Sequence, residues 1–248
     1  MLTFGRCEYL GRTSILGHES ESMNCVILQP SYVPWRGYFH QIQKADVFVF
    51  YDDVQYDKNG WRNRNKIKTS NGPVWLTVPV RNLGLATPIN QVPIDWRQNW
   101  AEKHFNAIRQ NYSKAPYFKQ YEPLVRSFYE RRDEYLADFT IESSIELARA
   151  LGITHTRFVR SSTLSTSGIK TDRVLSVLKQ VNATHYVSGP SAQSYIEGEK
   201  FQEAGISLEY IEYKYPEYPQ LHLPFSPQVS ILDLIFAVGP AAASYIWS

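Results

Sequence analysis

The sequence is poor in cysteine, in long apolar runs and in net charge. Its two cysteines, Cys7 and Cys25, stand in no CxxC or Cys/His spacing, so no metal-ligand set is expected. No run approaches about 18 apolar residues, so no membrane-spanning helix is expected. The 26 basic and 24 acidic side chains give a formal net charge of +2, which excludes polyanion binding by the whole surface. Few cysteines and no signal peptide indicate a cytoplasmic protein.

Aromatic residues are what the chain has in abundance. They make up 14% of the 248 residues, with 17 Tyr and 6 Trp. One interpretation is a tyrosine-rich core. The other is an aromatic cleft for a sugar or a base, because flat amphipathic rings offer an apolar face and a polar tip.

The first 22 residues show neither a sustained period nor the apolar stretch of a signal peptide. We expect either that Met23 is the natural start or that residues 1–22 form a loosely held irregular extension. Residues 23–248 are then a single domain, a size that one hydrophobic core supports.

Short apolar runs alternate with amphipathic segments along this domain. Strands are predicted at residues 24–28, 47–51, 74–80, 157–160, 185–187 and 208–213. The alternation predicts an α/β fold with a mostly parallel sheet, flanking helices and a helical lobe inserted at about residues 99–151. Ligands of such sheets bind beyond the carboxyl ends of the strands, so polar segments that follow strands are the candidate site.

The first such segment, residues 29–38, reads QPSYVPWRGY. A strand, a proline-stiffened loop and a helix can direct helix N-terminal amides at an anion. The predicted substrate-binding residues are Gln29, Tyr32, Trp35, Gly37 and Tyr38. The alternative is a tight turn packed by Tyr32 and Trp35. His40 follows directly and is the histidine best placed to act as a catalyst.

The second segment, residues 51–68, reads YDDVQYDKNGWRNRNKIK. Asp52 and Asp53 are the predicted catalytic acids, since paired carboxylates can act as a general base or bind Mg²⁺, the only cofactor that the sequence suggests. Arginine forks match phosphate. The predicted substrate-binding residues here are Lys58, Trp61, Arg62, Asn63 and Arg64. The alternative is a hairpin whose charges pair with one another in solvent.

The third segment, residues 185–195, reads HYVSGPSAQSY. A strand that ends in Ser-Gly-Pro-Ser can capture a phosphate or carboxylate with backbone amides, and the predicted substrate-binding residues are Ser188, Gly189 and Tyr195. A capped turn before a short helix is an equally good interpretation. We expect the three segments to converge at one edge of the sheet.

The three segments also resemble a known family. The matching positions are QPSY at 29–32, PW at 34–35, GYF at 37–39, YDDVQY at 51–56, NRN at 63–65 and WLTVPV at 75–80, with Tyr186, Ser188, Gly189 and Tyr195 further on. Together they resemble the WbqC-like family, which is associated with bacterial O-antigen, lipopolysaccharide and other surface-glycan gene clusters. The resemblance implies cytoplasmic work on an activated, often amino-bearing, sugar.

Three functions follow as hypotheses. The first is a transferase that modifies a nucleotide-linked sugar, for example by acyl or aminoacyl transfer. The second is a non-enzymatic binding or scaffold protein of the same pathway, with the Pro- and Tyr-rich residues 215–227 as its interface. The third places a nucleic acid such as a charged tRNA on the basic run, which is too short for this to be preferred.

Overall fold

The computed structural model describes residues 22–58, 60–81, 84 and 86–247. The predicted extension at residues 1–22 lies outside the described residues except for Ser22. The described strands are β1 (Asn24–Leu28), β2 (Val47–Phe50), β3 (Arg64–Thr69), β4 (Gly72–Thr77), β5 (Arg157–Arg160), β6 (His185–Ser188) and β7 (Ser207–Tyr210). The described α-helices are α1 (Arg36–Lys44), α2 (Trp100–Tyr112), α3 (Phe118–Glu130), α4 (Leu136–Ala150), α5 (Lys170–Gln180), α6 (Gly198–Glu203) and α7 (Ile231–Val238).

Five of these strands form one parallel sheet in the order β5-β2-β1-β6-β7. The predicted α/β class is therefore confirmed. β1 and β2 are apolar on both faces because helices cover both faces of the sheet. Alternate residues of β2 enter two separate cores: Phe48 and Phe50 pack with the middle helices and α7, whereas Val47 and Val49 pack with α5.

β3 and β4 pair antiparallel and form a separate hairpin, in which Lys66 lies opposite Trp75. The strand expected at residues 74–80 is present but ends at Thr77. The charged strand β3 was not predicted by any apolar run. Its pattern is alternation: Asn65 and Ile67 are buried, whereas Arg64 and Lys66 are partly exposed.

The helices α2, α3 and α4 occupy the segment predicted to be a helical lobe. They share one apolar core with the sheet. A buried polar cluster lies inside this core: Tyr32 Oη is 2.9 Å from His104 Nδ1 and 2.6 Å from Tyr129 Oη. Burial lowers the pKa of His104 from 6.5 to about 4, because a charged imidazole would lose its hydration there.

This depressed pKa predicts that His104 destabilises the fold in acid. The unfolded chain binds the imidazole proton below about pH 6.5 and the folded chain only below about pH 4, so stability is lost as the pH falls through that window. Between pH 7.5 and 4.5 the share of His104 is about 2 to 3 kcal/mol of unfolding free energy. Urea unfolding of the wild type and of His104→Gln at both pH values measures it. Equal pH dependence in the two proteins would contradict the assignment.

Candidate functional site

A cavity of about 590 Å³ opens at the carboxyl ends of β1 and β6. The chain leaves β1 toward β2 on one side of the sheet and leaves β6 toward β7 on the other. The loops after these two central strands therefore diverge and leave a crevice between them, which is where open α/β sheets bind ligands. The described lining consists of Ile27, Leu28, Gln29, Ser31, Pro34, Trp35, Tyr38, Gln41, Tyr51, Trp61, Arg62, Asn65, Gly189, Pro190, Ser191, Tyr195, Tyr213 and Gln228.

The first and third predicted segments meet in this cavity, together with part of the second. The predicted site residues that line it are Gln29, Trp35, Tyr38, Trp61, Arg62, Gly189 and Tyr195. Gly37 lies just behind the lining. A Cβ atom on Gly37 would overlap the ring of Trp35, so the glycine lets that ring lie against the first turn of α1.

Arg62 is the only ionised side chain in the described lining. Its Nη1 donates to Gln29 O at 3.0 Å, to Pro30 O at 3.3 Å and to Ser31 Oγ at 2.9 Å. Its Nε is buried without a partner. Burial lowers the pKa of Arg62, and the nearby Tyr38 and Asp57 act in the opposite direction. A desolvated guanidinium whose Nη1 donates only to neutral oxygens is a binding group for an anionic ligand.

Six aromatic residues of the described lining form a large part of the remaining wall: Trp35, Tyr38, Tyr51, Trp61, Tyr195 and Tyr213. Trp61 is 42% exposed and Tyr195 is 61% exposed, so both rings present a free surface at the cavity. Trp61 packs on Trp75 with ring centroids 5.1 Å apart, and the cationic groups of Arg64 and Lys66 lie over Trp75 at 4.6 and 4.8 Å. Trp75 of the hairpin thus restricts the motion of the Trp61 ring, which lowers the entropy cost of stacking a ligand on Trp61.

Sequence reasoning missed other lining residues, among them Tyr51, Gln41 and Tyr213. Tyr51 ends the segment that contains β2, and Gln41 lies three residues after Tyr38 on the same face of α1. Helical spacing from Tyr38 was the available signal for Gln41. Tyr213 follows β7 at the same edge of the sheet; the strand predicted at residues 208–213 would have ended at Tyr213, whereas β7 ends at Tyr210.

The two predicted acids do not line the cavity. Asp52 is fully buried; it forms an ion pair with Arg160 at 2.7 Å and accepts hydrogen bonds from the amide of Ser162 at 3.0 Å and from the hydroxyl of Ser162 at 2.9 Å. Asp53 accepts from Arg173 and from Ser161 Oγ, both at 2.6 Å. These contacts join the end of β2 to the end of β5 and to α5. The catalytic roles stay predictions.

The other predicted residues also lie outside the lining. Tyr32 points into the core, Asn63 donates to Val78 O at 2.8 Å, and Ser188 is buried and donates to Tyr186 Oη at 3.3 Å. Lys58 is exposed, and Arg64 stacks on Trp75.

His40 Nδ1 lies 3.0 Å from Tyr215 Oη, and burial is the main cause that lowers the pKa of this imidazole. Its ring is therefore neutral at pH 7 and held at the side of α1 that contacts Tyr215. His40 does not line the cavity.

No group of three or more His, Cys, Asp or Glu in the described part of the chain is arranged to hold a metal ion. No helix in the same part of the chain has the length and apolarity needed to cross a membrane.

The basic run offers less surface to a nucleic acid than its sequence indicated. Arg62 faces the cavity, and Lys68 is buried and donates to Pro224 O at 2.6 Å. Fewer cations therefore remain for phosphate contacts along a nucleic-acid backbone.

The chain was compared with known proteins. The model of the WbqC-like protein family matches residues 29–245. A relative from Mycobacterium tuberculosis (strain ATCC 25618 / H37Rv), described as uncharacterized protein Rv1507c, is 41% identical over 223 residues, which cover 89% of this chain and 96% of the relative. The comparison with solved structures gives no match. The family match spans the segments that build the cavity, and the chain therefore belongs to the WbqC-like protein family.

Proposed function

We propose that the protein binds a nucleotide-activated sugar in the cavity and acts on it as a transferase in bacterial surface polysaccharide biosynthesis, in the cytoplasm. One observation carries the proposal: the guanidinium of Arg62, whose Nη1 donates only to neutral oxygens, lies beside aromatic rings in the cavity at the crevice between β1 and β6. A nucleotide sugar has the matching parts, an anionic phosphate between a flat base and a sugar ring.

In this proposal each part of the ligand contacts a different part of the lining. Phosphate oxygens accept from the Nη2 edge of Arg62, which makes no hydrogen bond within the described chain. Rings of the ligand stack on Trp61 and Tyr195, whose exposed faces are otherwise an unfavourable contact with water. The reaction within this proposal is acyl or aminoacyl transfer to a sugar amine.

A second candidate is a binding protein without catalysis. The described lining contains no Asp, Glu, His, Cys or Lys, so no residue there is a ready general base near pH 7. That composition favours ligand capture over proton transfer, and the experiment must separate the two.

A thermal-shift screen with UDP-, dTDP-, GDP- and CMP-linked sugars, with and without Mg²⁺, tests binding. A ligand that binds only the folded state at 100 times its Kd adds about 2.7 kcal/mol, which raises the Tm of a chain of this length by roughly 5 to 10 °C. Free nucleosides and free sugars are the controls. A flat response to every nucleotide sugar would contradict both candidates.

Turnover separates the two candidates. Incubation of the bound nucleotide sugar with acyl donors such as acyl-CoA and aminoacyl-tRNA, followed by mass spectrometry, should show a mass gain on the sugar if the protein is a transferase. Saturable binding without any mass gain would leave the binding protein as the function.

A further inference from the structure

A pair of polar side chains lies in the cavity and is not used by the contacts assigned above. Gln41, on α1, is only 4% exposed and lines the cavity. Its Nε2 donates to Tyr213 Oη at 2.6 Å, and its Oε1 is buried without any hydrogen-bond partner. A buried amide oxygen without a partner lowers the stability of the fold, because it has lost its hydrogen bonds to water and forms none within the protein.

The hydroxyl of Tyr213 can still donate one hydrogen bond. Since Oη accepts from Gln41, its own proton is free to be donated. Burial raises the pKa of Tyr213 to about 12, so the hydroxyl stays protonated at neutral pH. Its ring is fixed edge-on against Trp35, with centroids 5.0 Å apart and planes at 71°. The pair therefore offers one acceptor and one donor side by side.

Gly189 keeps the space around this hydroxyl open. Its φ is −74°, a conformation that any residue adopts, so the backbone does not require a glycine. A Cβ atom at this position would lie 3.3 Å from Tyr213 Oη, which is tighter than ordinary contact. The absence of a side chain at Gly189 thus leaves room beside the Tyr213 hydroxyl.

We propose that Gln41 and Tyr213 together bind a hydroxyl or amine group of the sugar ring held in the cavity. The group donates to Gln41 Oε1 and accepts from Tyr213 Oη, which satisfies the buried amide and the free phenolic proton at once. A hydroxyl also fits the opposite amide orientation, because it can donate to Tyr213 and accept from Gln41. The proposal rests on the proposed function, and it assigns the sugar end of the ligand to this pair and the phosphate to Arg62.

Saturation-transfer NMR with methyl glucoside and with glucosamine tests the pair without any nucleotide. The wild type should bind at least one of these probes saturably, and Gln41→Met and Tyr213→Phe should each weaken it about tenfold. Gln43→Met is the matched control, since it lies on the same helix outside the lining and should bind as the wild type does. Equal affinity of wild type and both variants, or no saturable binding by the wild type, would overturn the proposal.

A stability measurement separates ligand recognition from a structural role. Methionine fills a similar volume and removes both the unpaired acceptor and the Nε2 donor to Tyr213 Oη, two effects of opposite sign, so Gln41→Met should melt close to the wild-type temperature. A clear fall in Tm would assign Gln41 to the fold and overturn the inference.

Affinities for UDP and UDP-glucose separate this inference from the proposed function. Binding of the glycoside through Gln41 without binding of any nucleotide sugar would remove the proposed function and keep the inference. Tight nucleotide-sugar binding that Gln41→Met leaves unchanged would keep the proposed function and remove the inference.

Discussion

Replacing Asp52 with alanine is expected to lower the free energy of unfolding by about 3 kcal/mol. The substitution leaves the Nε of Arg160 and the amide of Ser162 without their acceptor in a buried place. Loss of one partner of a buried pair costs about 3 to 5 kcal/mol, and the lower end applies because Arg160 is 33% exposed and keeps Asp138 at 2.6 Å. Urea unfolding monitored by circular dichroism measures the change.

Asp138→Ala is the matched control for this prediction. It removes a carboxylate from the same Arg160, but Asp138 is 38% exposed, so its loss should cost less than about 1 kcal/mol. Similar losses for the two variants would contradict the structural role given to Asp52. Asp52→Asn tests whether Asp52 contributes to ligand binding. Since Asp52 is outside the lining, the nucleotide-sugar affinity of the folded variant should stay within about twofold of the wild-type value.

Replacing Arg62 with methionine is expected to weaken nucleotide-sugar binding about 100-fold. A hydrogen-bonded ion pair with phosphate in a desolvated site contributes roughly 2 to 3 kcal/mol, and methionine keeps the apolar stem while removing the charge. Isothermal titration calorimetry measures the affinity. The contacts of Arg62 with Gln29, Pro30 and Ser31 are lost as well, so circular dichroism must show that the variant is folded.

Arg62→Lys and Arg64→Met complete this experiment. Lysine keeps the charge but not the fork, so Arg62→Lys should fall between the wild type and Arg62→Met. Arg64 stacks on Trp75 outside the lining, so Arg64→Met should weaken binding by no more than about threefold. A larger loss of affinity in Arg64→Met than in Arg62→Met would instead assign the phosphate contact to Arg64.

The sequence predicts the sheet well where apolar runs are continuous. The four residues of β2 are all apolar and all buried, and the runs at β1 and β6 are found where expected. It misses β3, because a strand with one face in the core and four charged or amide side chains in RNKIKT has no apolar run. The sequence of neither strand alone indicates that β3 pairs antiparallel with β4.

The candidate site is only partly predictable for a geometric reason. Residues that directly follow a strand, such as Gln29 and Gly189, reach the carboxyl edge of the sheet wherever the strand lies. Side-chain direction within a loop is not encoded locally: Tyr32 and Ser31 are neighbours, yet Ser31 lines the cavity and Tyr32 enters the core. Among consecutive cations, the sequence likewise gave no reason to prefer Arg62 over Arg64.

The central position of β1 has a consequence for how the protein is made. Asn24 of β1 pairs with His185 of β6, so a ribosome must translate most of the chain before the sheet can close. Contacts between residues so distant in sequence form slowly, and the edge of β1 that awaits β6 stays open in the nascent polypeptide. The cavity takes its walls from both ends of this interval, so it is incomplete until β6 has paired with β1.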